Sequence, residues 1–157
     1  MKIAVMALSG GMDSTSLLLR LLREGNTVYT IGFNYGQKHI LELSRAQDNI
    51  DYLSENGYKI SHNVVDLSSL MSMFTGSLTS NEEVPKGHYE EQQMKSTVVP
   101  NRNAIFSSMI YGYALSLSKE FGCEVSISLG VHSGDHAIYP DCRPEFYQSL
   151  NEAFEIG

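Results

Sequence analysis

The chain has 157 residues and a formal net charge of −7, from 11 Lys+Arg against 18 Asp+Glu; 42% of its residues are hydrophobic and 18% charged. The length fits one domain with a single core, and the composition excludes a disordered tail. The acidic balance argues against a general nucleic-acid binder, which shows a basic face, but a small anionic ligand remains compatible with a locally positive site.

Lys2 to Leu8 is a nearly continuous apolar run, the pattern of a central parallel strand buried on both faces. Ser9-Gly10-Gly11 breaks it, and Leu17, Leu18, Leu21 and Leu22 then recur at helical spacing between Asp13 and Glu24. Gly25-Asn26 stops that helix, and Thr27 to Phe33 is a second strand rich in β-branched and aromatic residues. A helix from about Lys38 to Asn56 ends at Gly57, and Tyr58 to Leu67 reads as a third strand. Ser68 to Lys95 is weakly patterned and predicts a functional loop or lid over about 68–97. Arg102 to Phe121 is a helix closed by Gly122, Glu124 to Val131 a fourth strand, His132 to Asp141 a loop, and Pro144 to Phe154 a last helix with proline in its first turn.

The order predicts one α/β domain over 1–157, with a parallel sheet and helices on both faces. Ligands in such sheets sit at the carboxyl ends of the strands. Cys123 and Cys142 form no CxxC, so no cysteine zinc knuckle is readable. With no targeting segment at the start, the expectation is a reducing cytoplasm and free thiols. The longest apolar runs, such as Ile3 to Leu8 and Leu17 to Leu19, are too short to span a membrane.

Ser9-Gly10-Gly11-Met12-Asp13-Ser14-Thr15 carries the strongest signal. Two glycines after a buried strand let the backbone turn tightly and approach a ligand. The helix that follows offers unsatisfied N–H groups and the positive end of its dipole to an anion, with Asp13, Ser14 and Thr15 as candidate caps. The hydroxyls of Ser9, Ser14 and Thr15 can add hydrogen bonds to phosphate oxygens. Asp13 fits beside a phosphate only as a cap or as a holder of Mg²⁺ through water. GxxxxGK[ST], GxGxxG and GxSxG are all absent, which excludes a P-loop NTPase, a dinucleotide fingerprint and a nucleophile elbow. The segment resembles the pyrophosphate loop of the ATP pyrophosphatases. That resemblance implies an ATP site over Leu8, Ser9, Gly10, Gly11, Met12, Asp13, Ser14, Thr15, Ser16, Leu17 and Leu18, in an adenine nucleotide alpha hydrolase-like, Rossmann-like fold.

Further residues cluster at the same ends of the strands. Asn34-Tyr35-Gly36-Gln37-Lys38-His39 follows the second strand, and Val99-Pro100-Asn101-Arg102-Asn103 opens the third helix. Arg102 can hold a carboxylate or phosphate in a bidentate fork. Gly130-Val131-His132-Ser133-Gly134-Asp135-His136 and then Tyr139-Pro140-Asp141-Cys142-Arg143-Pro144-Glu145-Phe146 follow the fourth strand. No HExxH-type spacing supports a metal site at these histidines. Cys142 beside Arg143 reads as a packing or substrate-lining thiol rather than a nucleophile.

These motifs, from Ala7 to about Phe146, resemble the QueC family of 7-cyano-7-deazaguanine synthases. The resemblance implies conversion of 7-carboxy-7-deazaguanine and ammonia to the nitrile with ATP and Mg²⁺, through adenylated acid and amide intermediates, in a cytoplasmic homodimer that contacts neither membrane nor nucleic acid. It makes Arg102, Asp135 and Arg143 the catalytic candidates, and Tyr35, Gln37, Lys38, His39, Asn103, Tyr139 and Asp141 the substrate-binding ones. A flat, polar heterocycle bearing a carboxylate wants an acid for its N–H groups, an arginine for its carboxylate and an aromatic to stack on. Asp135, Asp141, Arg102, Arg143 and Tyr139 supply that set.

Two departures stand out. Asn101 occupies the position of the usual glycine in VPGRN, where asparagine tolerates left-handed backbone better than most residues. Family members also continue into another strand and a four-cysteine zinc site. A last helix without a returning strand reads as an interrupted unit, with zinc expected for the family but no ligand site for it within this chain. The alternatives are a QueC-like enzyme acting on another carboxylate or amide, and an ATP-binding fragment without turnover.

Overall fold

The computed structural model describes residues 1–36, 40–74, 100–130 and 140–157. The strands are β1 (Ile3–Ala7), β2 (Thr27–Asn34), β3 (Ile60–Asp66) and β4 (Val125–Ser128). All their pairings are parallel, in the order β3-β2-β1-β4. The helices are α1 (Met12–Arg23), α2 (Ile40–Glu55), the single turn α3 (Ser68–Met71), α4 (Arg102–Phe121) and α5 (Pro144–Ile156), with a 3₁₀ turn at Pro140–Cys142.

The period-2 geometry of β1 sorts its residues onto two cores. Ala4, Met6 and Leu8 pack with Val28 against Leu18, Leu21 and Leu22 of α1 and Ala46, Ile50 and Leu53 of α2. Ile3 and Val5 face the other way, with Ile31 and Phe33, onto Ile110, Ala114 and Leu117 of α4. The sheet is therefore covered on both faces, as an all-parallel sheet requires.

Several local expectations are corrected. β4 is shorter than the apolar run from Glu124 to Val131 suggests. The stretch assigned to a lid from Ser68 onward begins as a helical turn: the Asp66 carboxylate accepts from the Ser68 N–H at 2.9 Å, and Met71 is buried. The remainder of that stretch to residue 97 lies outside the described residues. The N-cap of α1 is Gly11, not Asp13, Ser14 or Thr15, and no side chain caps it. Asn101 adopts φ 57° at the start of α4, the left-handed geometry expected of an asparagine standing in for glycine.

His62 shows how the α2 face tolerates a polar group. Its Nδ1 lies 2.7 Å from the hydroxyl of the buried Thr30, its partner in the β2–β3 register. A Cβ at Gly32 would come within 3.2 Å of the imidazole, so the missing side chain there makes room for the ring. Burial pushes the His62 pKa below the ordinary histidine value, partly offset by the charge of Asp51.

Two predictions follow from this packing. The unfolded chain binds a proton at His62 more readily than the folded one. Stability is therefore highest above about pH 6.5 and falls as pH drops toward the lowered folded value. His62→Gln should flatten that part of the pH dependence of the unfolding midpoint; an unchanged slope would remove His62 from the account. Gly10 has φ +81°, and a Cβ there would sit 2.4 Å from the Glu42 carbonyl oxygen. Gly10→Ala should cost at least about 1–2 kcal/mol from left-handed backbone alone, read as a lower urea midpoint.

Candidate functional site

α1 starts at the carboxyl end of β1, next to the point where the chain order reverses between β1 and β4. This is the crevice in which open parallel sheets bind ligands. Its loop is held by its own hydroxyls. Ser14 Oγ accepts from the Ser9 N–H at 3.2 Å and lies 3.0 Å from Ser9 Oγ, and Ser9 Oγ accepts from the Gly11 N–H at 3.2 Å. Ser14 is buried, and the buried Thr15 hydroxyl oxygen has no hydrogen-bond partner among the described residues. An orphaned hydroxyl beside an uncapped helix N-terminus is the donor set an anion would satisfy. Gly130, just beyond β4, passes so close that a Cβ would lie 3.2 Å from Ser14 Cα. The Ser9–Ser14 loop is thus walled by α2 on one side and by the end of β4 on the other.

Within this frame the remaining loop candidates divide. Met12, Asp13 and Ser16 are exposed, whereas Leu8 and Leu18 are buried and Leu17 packs against the same core. The side chains of Leu17 and Leu18 therefore hold α1 on the sheet, and Leu8 joins the core while also lining the cleft. Asp13 is an exposed acid in the first turn of α1.

A cleft of about 290 Å³ opens from this loop. Ser9 and Ser14 line one part of it, and Tyr35, Glu42, Arg102 and Asn103 another. Its apolar wall is aromatic: Phe33 and Phe106 stack with centroids 4.0 Å apart, and Tyr35 lies 5.8 Å from Phe106. Burial pushes the Tyr35 hydroxyl above the ordinary tyrosine range, opposed by the charge of Arg102 and by a hydrogen bond to it, while Glu42 adds to the upward push.

The structure thus brings Ser9, Ser14, Tyr35, Arg102 and Asn103 together, as their positions after β1, β2 and at the start of α4 suggest. It also adds Phe33, Glu42, Phe106 and Gly130. Phe106 was readable as the residue one turn after Arg102 on α4, and Gly130 as the first residue of its motif. Glu42 carried no sequence signal, since an acid in the first turn of a helix is commonplace.

Asp141 and Arg143 do not line this cleft among the described residues. Asp141 Oδ2 accepts from the Asn103 backbone N–H at 2.9 Å, which satisfies one of the open donors at the start of α4. The Asn103 side-chain amide donates to the Asp141 carbonyl and to Cys142 Sγ, both at 3.3 Å. Cys142 is buried and forms no disulfide, and its Sγ accepts from the Asn103 amide. Arg143 is the exposed N-cap of α5. Gln37, Lys38, His39, Asp135 and Tyr139 lie outside the described residues. Among the described residues no three His, Cys, Asp or Glu side chains form a group able to hold a metal ion, and no helix is long and apolar enough to cross a membrane.

Comparisons with known proteins place this architecture. The structure resembles a protein from Methanocaldococcus jannaschii titled as a predicted subunit of a tRNA methyltransferase, with a TM-score of 0.55 at 15% identity, over 99% of this chain and 64% of that one. At that identity the likeness shows the fold alone. The sequence is 47% identical over 155 residues to a 7-cyano-7-deazaguanine synthase of Hahella chejuensis, covering 98% of this chain and 63% of the relative. It is 49% identical over 155 residues to the protein of the same name from a Marinomonas species, covering 98% of this chain and 66% of the relative. The chain therefore spans somewhat less than two thirds of the length of these curated relatives. The family model described as "Queuosine biosynthesis protein QueC" matches residues 3–157. With the family model matching residues 3–157 and relatives 47–49% identical over 98% of its length, the chain belongs to the QueC family.

Proposed function

We propose that this chain carries the ATP-dependent conversion of 7-carboxy-7-deazaguanine and ammonia to 7-cyano-7-deazaguanine. The observation that carries the reading is a single cleft joining the Ser9–Ser14 phosphate loop to the Tyr35–Arg102 pair. One end is suited to a leaving pyrophosphate and the other to a carboxylate. Family membership supports the choice of substrate.

In this reading the carboxylate oxygen attacks the α-phosphorus of ATP, and pyrophosphate leaves along the loop. Ammonia then adds to the acyl carbon, and AMP departs with the acid oxygen to leave the amide. The amide oxygen is adenylated in the same way, and loss of AMP together with both protons from nitrogen gives the nitrile. Each nitrile thus consumes two ATP and yields two AMP.

The protein's part is positioning and charge. Backbone N–H groups at the start of α1, with the Ser9, Ser14 and Thr15 hydroxyls, face the departing charge. Arg102, half-buried in the first turn of α4, holds the carboxylate against the α-phosphorus. Its cation sits at the end of a helix that repels cations, an arrangement that an anionic ligand would stabilise. Mg²⁺ would balance the triphosphate when bound, and Asp13 is the loop acid that could hold it through water. A homodimer and a cytoplasmic location complete the reading, with zinc expected for the family but no ligand site for it in this chain.

The purified protein should release AMP from ATP in ammonium and Mg²⁺ only when 7-carboxy-7-deazaguanine is present, with two AMP per nitrile. Binding of ATP without substrate-dependent AMP would favour a nucleotide-binding role without turnover. Replacing Arg102 by Ala should raise KM for the acid roughly 10- to 100-fold, the scale of a hydrogen-bonded charge, and change KM for ATP far less. Equal losses for both substrates would place Arg102 on the nucleotide instead.

A further inference from the structure

α4 begins without a cap of its own. Its N-cap residue, Asn101, sits in left-handed backbone, its side chain makes no capping hydrogen bond, and no acid lies in the first turn. The N–H groups there still need acceptors. One of them is met from 38 positions away, where Asp141 Oδ2 accepts from the Asn103 N–H at 2.9 Å. The exchange is reciprocal, because the Asn103 side-chain amide donates back to the Asp141 carbonyl at 3.3 Å. Asn103 is buried, and Asp141 belongs to the 3₁₀ turn Pro140–Cys142, so the bond pins the start of α4 to the segment after β4. Arg102, next to Asn103, lines the cleft, whereas Asp141 is absent from its described lining.

We propose that Asp141 is a positioning residue: it caps α4 from the turn after β4 and so holds Arg102 in place at the cleft. The assignment rests on the reading of Arg102 as the holder of the carboxylate. A cation in the first turn of a helix is repelled by the dipole, and a carboxylate on the neighbouring N–H offsets that repulsion. Burial pushes the Tyr147 hydroxyl above the ordinary tyrosine range; Cys142 and Asp141 add to the push and Arg102 opposes it, so the acid and the arginine act on the same space. Arg102 in turn bonds Tyr35 on the cleft side. Asp141 then acts on the reaction through the helix and not by touching the substrate. The two roles make different demands. Substrate N–H donors gain from the charge of a carboxylate, whereas a helix N-terminus is satisfied about as well by an amide oxygen.

The test sets Asp141→Asn against Asp141→Ala. Alanine should speed amide hydrogen exchange in the first turn of α4 about 3- to 30-fold, the scale of a lost cap. It should also raise KM for 7-carboxy-7-deazaguanine roughly 10-fold through a misplaced arginine, and change KM for ATP far less. Asparagine, an equally good cap, should keep both quantities within about threefold of the wild type. Asp141→Ala added to Arg102→Ala should cost little more than Arg102→Ala alone, because both act through one side chain. An Asn variant as impaired as the Ala variant would overturn the assignment and put Asp141 on the substrate, and so would additive losses in the double variant. Asp141→Ser, a cap with a shorter reach, serves in place of Ala if that variant does not fold, with losses of the same kind. Hydrogen exchange needs no substrate, which separates this assignment from the reaction. Faster exchange rescued by Asn, in a protein without turnover, would sink the proposed reaction and keep Asp141 as the cap of α4. Exchange insensitive to Asp141 would sink the assignment, whatever the turnover.

Discussion

Burial of β1 on both faces is the constraint on which the rest of the molecule depends. Its alternating side chains feed two separate cores, one under α1 and α2 and the other under α4. A strand enclosed in this way has no exposed flank on which to carry chemistry. Function is therefore pushed to its carboxyl end, where the backbone must turn and the first helix must begin. The sequence at that point answers the demand with Ser9-Gly10-Gly11. Gly10 supplies the left-handed turn, and the missing side chains of Gly10 and Gly130 let α2 and the end of β4 close on the loop from either side. The phosphate loop is thus a product of close packing as much as of its own hydrogen bonds.

A similar economy governs the end of the cleft lined by α4. α4 presents Arg102, Asn103 and Phe106 on neighbouring positions of its first turns, and each does something different. Phe106 stacks on Phe33 and forms the wall, Arg102 reaches Tyr35, and Asn103 turns inward to Asp141 and Cys142. The segment after β4 therefore secures the helix that carries the arginine. A motif that looks like substrate chemistry in one dimension is, in its Asp141-Cys142 portion, also the clamp that orients α4.

Much of this was legible in the sequence because it is local. The bounds of α4 could be read directly, since Arg102 follows a turn and Gly122 provides the left-handed stop. The parallel order followed from the alternation of apolar runs and helical periods, and the left-handed Asn101 followed from its position in the VPNRN motif. What could not be read depended on distant partners. β4 ends before its apolar run does, because strand length is set by pairing with β1 and not by composition. Asp141 could not be seen as an acceptor for Asn103, 38 positions away, until the fold placed them together. Glu42 was invisible for the same reason. Its place at the cleft depends on α2 docking against the turn after β1, and no spacing within α2 records that contact.

The contact between Gly10 and the Glu42 carbonyl has a consequence for the order of events in the cleft. The Ser9–Ser14 loop and the first turn of α2 pack closely enough that no side chain fits between them at Gly10. A ligand that settles the loop also settles that turn, and one that pulls on the turn also tightens the loop. If occupancy of one end alters the affinity of the other, it does so by the same factor in both directions. Two ligands seated at the two ends of the cleft would be linked through that one close contact.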